Sequence, residues 1–451
     1  MSKPIPQQIT QGVIWKQLLS YFFPILLGTF FQQMYNTVDT VIVGRFVGTQ
    51  ALAAVGSASP LINLVTGFFV GLSTGATVLI SQFYGAEDRK GVRVALHSGI
   101  CLAIIMGAMV TICGLTMRNT VLSWMQTPES CMEDALLYTG IYFLGAISSM
   151  VYNMGAGIMR AMGDSRRPTI FLMITCLLNI AGDLIFVLVF RMGIAGVALA
   201  TVFSQTISAV LVLLSLSHLQ EEIAFRPRHL SMDGKLLRRI LLVGIPAGLQ
   251  MTTFDLAGTL IQSGVNSFGE VTVAAWTAYC KSDFLTWMIS GAFGVSITTF
   301  VGQNFGAGKI DRVKRSVWVC MAMSVALVGL LSALEVIFRH FILGIYSTDA
   351  EVIRTGAYLM LWTVPLNFLF MPVEIFAGAM RGTGHSVAPM LVMCICICLY
   401  RVLWVMTLVA RYHYIELLAV CYPISWLLAS GVLFILYLRG NWLKQPHLQA
   451  N

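Results

Sequence analysis

The sequence predicts an all-α integral membrane protein: twelve transmembrane helices in two homologous six-helix bundles, related by a pseudo-two-fold axis along the membrane normal. Three observations carry this reading. Only 11% of the 451 residues are charged and 57% are hydrophobic, against roughly 25% charged in a soluble domain, and mean hydropathy is +0.81. The apolar residues form runs of about 20 or more, the length of a helical span, and not the short alternating strands of a closed barrel. Motifs also recur along the chain at a fixed separation.

Taken in order, the first helix, 14–44, carries a polar stripe within an apolar run and stops before Arg45. The second, 52–83, leaves the membrane through ISQFYGAEDRKGVR (80–93), and the third, 92–117, is almost wholly apolar. The fourth, 134–161, ends in GIMRAMGDSRRP (157–168). The fifth, 168–190, holds Asn179 and Asp183, and the sixth, 192–217, opens with GVALAT. A charged stretch, LQEEIAFRPRHLSMDGKLLRR (219–239), separates the halves. The seventh helix, 236–265, contains Pro246 and Asp255; the eighth, 272–303, contains Lys281 and Asp283 and exits through VGQNFGAGKIDRVK (301–314). Helices at 315–341, 353–381, 387–410 and 416–440 complete the set, with Glu374 in the tenth.

The repeat pairs Gln82 with Gln303, Gly85 with Gly306 and Ala86 with Ala307, always 221 residues apart, and then Arg160 with Arg381, Gly163 with Gly384, Ser165 with Ser386 and Pro168 with Pro389. Pro24 and Pro246 correspond one residue out of phase. The expected domains are therefore an amino-terminal bundle, 1–218, a cytoplasmic linker, 219–235, and a carboxy-terminal bundle, 236–451. With an even number of spans in each, both bundles share one orientation, an architecture suited to a central cleft and alternating access.

The net charge of +8 follows from topology. With the amino terminus cytoplasmic, the inner side collects Lys3, Lys16, Arg89, Lys90, Arg93, Arg160, Arg166, Arg167, the linker arginines, Lys309, Arg312, Lys314, Arg315, Arg381, Arg439 and Lys444. The outer side collects Arg45, Arg118, Arg191, Arg339, Arg354 and Arg411. This asymmetry places both termini in the cytoplasm and gives no reason to expect nucleic acid as a partner. The opening MSKPIPQQITQG has no apolar core leading to a cleavage site, so no signal peptide is expected. The ten cysteines are scattered. Even Cys394, Cys396 and Cys398 alternate around a helix, so they read as small apolar residues and not as metal ligands.

An ionisable side chain at membrane depth costs about 2.5–3.5 kcal/mol on insertion scales, which makes each one a functional candidate. Gln32, Tyr35, Asn36 and Asp39 recur at three- and four-residue steps and share a face of the first helix. Asn179 and Asp183 share a face of the fifth. Asp39 precedes Arg45, and Asp183 precedes Arg191, by distances that put both acids about 9 to 12 Å inside the outer end at 1.5 Å per residue. Two carboxylates in a low-dielectric site resist being ionised together, so such a pair can load a proton on one side and release it on the other. In the second half, Lys281 and Asp283 are expected to offset one another as an ion pair, whereas Asp255 and Glu374 have no evident cation and are candidates for a coupling ion or a cationic substrate. The 24 Met and 26 Phe would give a cleft adaptable surfaces for varied lipophilic cations.

QQMYNTVDTVIVGRFVGTQALAAVG, GQNFGAGK and MRAMGDSRRP resemble the first helix, the eighth-helix exit and the loop after helix four of the multidrug and toxic compound extrusion (MATE) transporters of the MOP flippase superfamily, over nearly the whole chain. In detail the chain is similar to the DinF-like bacterial branch, whose members are thought to be proton-coupled. That resemblance implies a coupling cluster of Tyr35, Asp39, Asn179, Asp183 and Thr201. The family's asparagine one turn before the loop arginine is Ala156 here, with Asn153 three residues earlier. Asp255 resembles the seventh-helix acid of the sodium-coupled NorM branch. That branch's tenth-helix acid falls near Phe370, with Glu374 one turn on, so a sodium site at Asp255 and Glu374 is the alternative.

The expectation is thus a proton-coupled antiporter exporting lipophilic or cationic compounds across a bacterial inner membrane, acting as a monomer without a cofactor. A lipid-linked saccharide flippase of the same superfamily would need a more cationic cleft. A passive channel would need no paired acids. An enzyme is disfavoured, because there is no Asp-rich magnesium motif, His cluster or Ser-His-Asp spacing.

Overall fold

The computed structural model describes residues 9–444, so Lys3 and the first residues of the opening segment lie outside it. Among the described residues the chain is helical, without strands. It has eleven helices long and apolar enough to cross a membrane, or twelve when the pair bent by 48° is counted as one span. These are α1 (Ile14–Val47), α2 (Thr49–Gly85), α3 (Arg89–Trp124), the bent α4 (Glu129–Leu144 and Ala146–Ala161), α5 (Arg166–Val189), α6 (Gly193–Ser217) and α7 (Gly234–Asn266). There follow α8 (Phe284–Gly306, preceded by Glu270–Ser282), α9 (Ile310–Ile337), α10 (Ala350–Gly382), α11 (Val387–Tyr412) and α12 (Ile415–Leu438). Each falls on a span expected from the apolar runs. The ends reach further where polar residues cap them: Asp88 accepts from the Gly91 amide at 2.8 Å, which starts α3 at Arg89, since a side-chain acceptor serves an otherwise unpaired amide of the first turn.

One break repeats between the halves. Gly145 interrupts α4, and its repeat partner Leu366 lies in the tighter 3₁₀ stretch Val364–Phe370 that interrupts α10. A π-helical turn closes α1 over Val43–Val47 and another closes α5 over Ile185–Val189. Each lies just beyond a membrane acid, Asp39 in α1 and Asp183 in α5, and such turns gather at functional sites.

Packing divides the chain into two compact units, Phe23–Gly248 and Ile9–Phe22 together with 249–444. They depart from the sequence halves in two segments. The opening of α7 packs within the first unit, because glycines let its backbone approach α2: a Cβ on Gly71 would stand 2.5 Å from Gly248 Cα, and one on Gly244 would stand 2.5 Å from the Leu72 carbonyl. Small residues permit this closeness between membrane helices. The opening of α1 packs within the second unit, with Phe22 stacked on Phe293 at 4.2 Å and the Tyr21 hydroxyl donating to Thr299 Oγ1 at 3.2 Å. The segment before it is pinned by Lys309 Nζ on the Thr10 carbonyl (2.9 Å) and by Arg312 on the Gly12 carbonyl (2.8 Å). The linker is anchored on α3: the Arg226 amide donates to His97 Nε2 at 3.1 Å, and the Asp233 amide donates to Ser98 Oγ at 3.1 Å.

Candidate functional site

In the first unit α1, α5 and α6 bring together the residues expected to form a coupling cluster. Asp183 is fully buried; Asn179 and Thr201 are 2% and 3% exposed. Thr201 Oγ1 donates to Asp39 Oδ2 at 3.5 Å while also donating to the Val197 carbonyl. The Asp39 and Asp183 carboxyls face one another within hydrogen-bonding reach. Asp39 Oδ1 and both oxygens of Asp183 are nevertheless buried without a donor. The donor and the acceptor of Asn179 are also unmatched, so the expected bond between Asn179 and Asp39 is not formed here.

Tyr35 interacts electrostatically with Asp39, but its hydroxyl hydrogen-bonds Gln205. Sequence reasoning missed the rest of this shell. Tyr138 lies in the field of both carboxyls, and Tyr142, bonded to Gln205 and Thr66, completes a tyrosine belt. Tyr138 and Tyr142 sit one turn apart on α4, a spacing visible in the sequence, though nothing there indicates that α4 turns this face to α1. Among the other polar candidates, Gln32 and Asn36 are exposed. Asn153 makes a local bond, its Nδ2 donating to the Ser149 carbonyl at 2.9 Å.

The four candidates in the second unit separate. Lys281 is exposed and Asp283 is 1% exposed. No ion pair joins them among the described residues, because positions two apart on a helix point in different directions. Asp283 instead accepts from Trp287 Nε1 at 2.8 Å and from Asn367 Nδ2 at 2.7 Å. The expectation that Glu374 lacks a cation is also corrected. Arg381, two turns along α10, donates from Nη2 to Glu374 Oε2 at 3.5 Å and from Nη1 to Gln250 Oε1 at 3.5 Å. The seven-residue interval hid this pair, since 3.6 residues per turn brings the two onto one face. Asp255 is exposed on α7. Glu335, buried at the end of α9, was not anticipated; it sits so near the helix end that it reads as an interfacial acid.

A helical membrane protein built from two repeated halves, with opposed acids buried inside one of them, has the architecture of a secondary transporter. The profile of the MatE family matches residues 24–185 and 246–406, one match in each half, and the chain belongs to that family. It is 27% identical over 394 residues to the probable multidrug resistance protein YoeA of Bacillus subtilis, covering 85% of each chain. It is 24% identical over 389 residues to the FAD transporter of Shewanella oneidensis, covering 84% of each. A solved outward-facing conformation of a multidrug resistance MATE family transporter superposes with a TM-score of 0.90 at 20% identity, over 98% of this chain and all of the other. The protein is thus a multi-pass membrane transporter of a family that includes bacterial multidrug exporters, and not an enzyme.

Proposed function

We propose that the protein is an antiporter that exports lipophilic or cationic compounds in exchange for protons, with Asp39 and Asp183 as the coupling pair. The observation that carries this reading is the pair itself: two carboxyls within hydrogen-bonding reach whose facing oxygens have no donor. Two carboxylates accept only; a single proton between them supplies the donor and removes one buried charge. Loss of that proton restores like-charge repulsion, which drives α1 away from α5, breaks the bond from Thr201 to Asp39 and frees Asp39 to take new donors from Asn179 and Tyr35. A proton moving down the membrane potential supplies about 2.3 kcal/mol per 100 mV, enough for a drug gradient of an order of magnitude.

The topology that fits the basic residues has both termini in the cytoplasm, the membrane is the bacterial plasma membrane, and the working unit is a monomer. The acidic character of the buried cluster favours cationic and lipophilic cargo. A phosphate-bearing cargo such as that of the Shewanella relative is the second reading, and it would call for cationic groups in the cleft. Sodium coupling through Asp255 and Glu374 is disfavoured, because Glu374 is engaged by Arg381 and Asp255 is exposed.

The test is efflux of a fluorescent lipophilic cation from proteoliposomes, driven either by a pH gradient without sodium or by a sodium gradient without a pH difference. Proton-driven efflux that is abolished in Asp39→Asn and Asp183→Asn supports the proposal. Sodium-driven efflux that survives both substitutions overturns it.

A further inference from the structure

The second unit holds a buried electrostatic system that the proposed coupling pair does not use. Asp283 stands at the break ahead of α8, with each oxygen saturated by a strong donor, Trp287 Nε1 on Oδ2 and Asn367 Nδ2 on Oδ1. Glu335 on α9 is 4% exposed and lies in the field of Asp283. Its Oε1 receives only a long bond from Thr286 Oγ1, at 3.4 Å, and its Oε2 is buried without a partner. The Oδ1 of Asn367, which is 2% exposed, is likewise a buried acceptor without a donor.

A buried cation of the same unit lies on an aromatic layer. Arg401 on α11 is 6% exposed. Its guanidinium covers Tyr422 at 3.9 Å and Trp426 at 5.7 Å, and its Nε donates to Ser425 at 2.8 Å. It enters no ion pair among the described residues. Trp426 in turn lies 6.1 Å from Trp287, the ring that donates to Asp283. Glu335 enters no ion pair among the described residues either. Arg339, one turn on, donates to the Val336 carbonyl at 2.7 Å; His340 and Lys281 are exposed; Glu374 is paired with Arg381; Tyr279 and Cys280 are neutral in their ordinary forms.

A guanidinium does not deprotonate, and uncompensated buried charge is strongly unfavourable. Neither Asp283 nor Glu335 has a cation in contact among the described residues, and two neighbouring buried acids resist being ionised together, so one of them carries a proton. Hydrogen bonding selects between them: Asp283 accepts from Trp287 Nε1 and Asn367 Nδ2, one donor on each oxygen, as an anion requires, whereas Glu335 Oε2 is buried without a donor. We propose that Glu335 is a second proton-binding site, in the carboxy-terminal unit, beside an Asp283 that stays ionised. The proposal stands apart from the coupling reading of Asp39 and Asp183, because protonation of Glu335 is read directly and not through transport.

Infrared difference spectra of the purified protein in lipid, between neutral and strongly alkaline pH, test it. The expected result is a protonated-carboxyl band that shifts down on labelling with ¹³C-glutamate and is lost in Glu335→Gln. Isotope labelling separates this band from those of Asp39 and Asp183 in the unaltered protein, and Glu335→Gln assigns it among the glutamates. The proposal is overturned if the spectrum has no glutamate-sensitive band, if that band survives Glu335→Gln, or if adding sodium at constant pH abolishes it and so marks a metal-cation site.

Discussion

At the scale of single residues, the second unit separates charges that must be paired from charges that must be neutralised. Glu374 and Arg381 have side chains only 16% and 10% exposed, so Arg381→Gln strands a buried carboxylate. The expected loss is about 3–5 kcal/mol, read as a fall in the unfolding temperature in detergent, and Glu374→Gln in the same chain should recover much of it. Asp283→Asn should likewise destabilise, because an amide has one acceptor oxygen for two buried donors, Trp287 Nε1 and Asn367 Nδ2; an unchanged melting temperature would refute the weight given to those bonds. His385 lies between α10 and α11, where burial pushes its imidazole below the ordinary range. The unfolded chain therefore takes up the proton first. Stability at this site is full above the unfolded imidazole range and declines as pH falls through it, so His385→Gln should flatten that acid limb in pH-dependent thermal melts. Asp39, Asp183 and Asn179 were legible in the sequence because a polar group in an apolar run is conspicuous, whereas Thr201 was reached only through the family resemblance. Tyr138, Tyr142 and Gln205 were not, because a tyrosine or glutamine is ordinary until a neighbouring helix gives it a partner.

At the scale of elements, periodicity located every span, since twenty apolar residues admit little else in a bilayer. The breaks were less visible. Nothing in VPLNFLF announces a tightened turn except Pro365, and the π-helical turn after Asp183, IFVLV, lies within uninterrupted apolar sequence. Such features depend on what the neighbouring helix demands and not on local propensity. The seam between α2 and α7 gives a sharp prediction. Gly71→Ala introduces a Cβ that meets the backbone of Gly248, which has no flexible end to move aside, so overpacking should cost about 1–3 kcal/mol. Gly291→Ala, where a Cβ meets nothing within 4 Å, should leave the melting temperature unchanged. Equal melting temperatures for the two variants would show that the helices part easily.

For the whole molecule, the repeat of 221 residues made the two-fold plan readable from a few glycines and an arginine. It did not show that the compact units divide at Phe22 and Gly248, because that boundary is set by Phe22 on Phe293 and by the glycine seam. Proton coupling makes a prediction at this scale. Raising the pH on the outer face of proteoliposomes at constant voltage should slow efflux progressively, because the coupling pair must load its proton from that face. In Asp39→Asn this dependence should vanish along with the transport. A rate indifferent to outer pH in the wild type would place coupling elsewhere. The glycine seam also bears on biosynthesis. Gly71 and Gly75 find their partners in Ile240, Gly244 and Gly248, so a ribosome that has delivered the first six helices has not yet made the surface that covers α2. The amino-terminal unit must wait in the membrane, unfinished, until the linker and the opening of α7 have emerged. A gene divided at the linker would leave that α2 face open in its first product, whereas one divided just beyond Gly248 would supply what closes it.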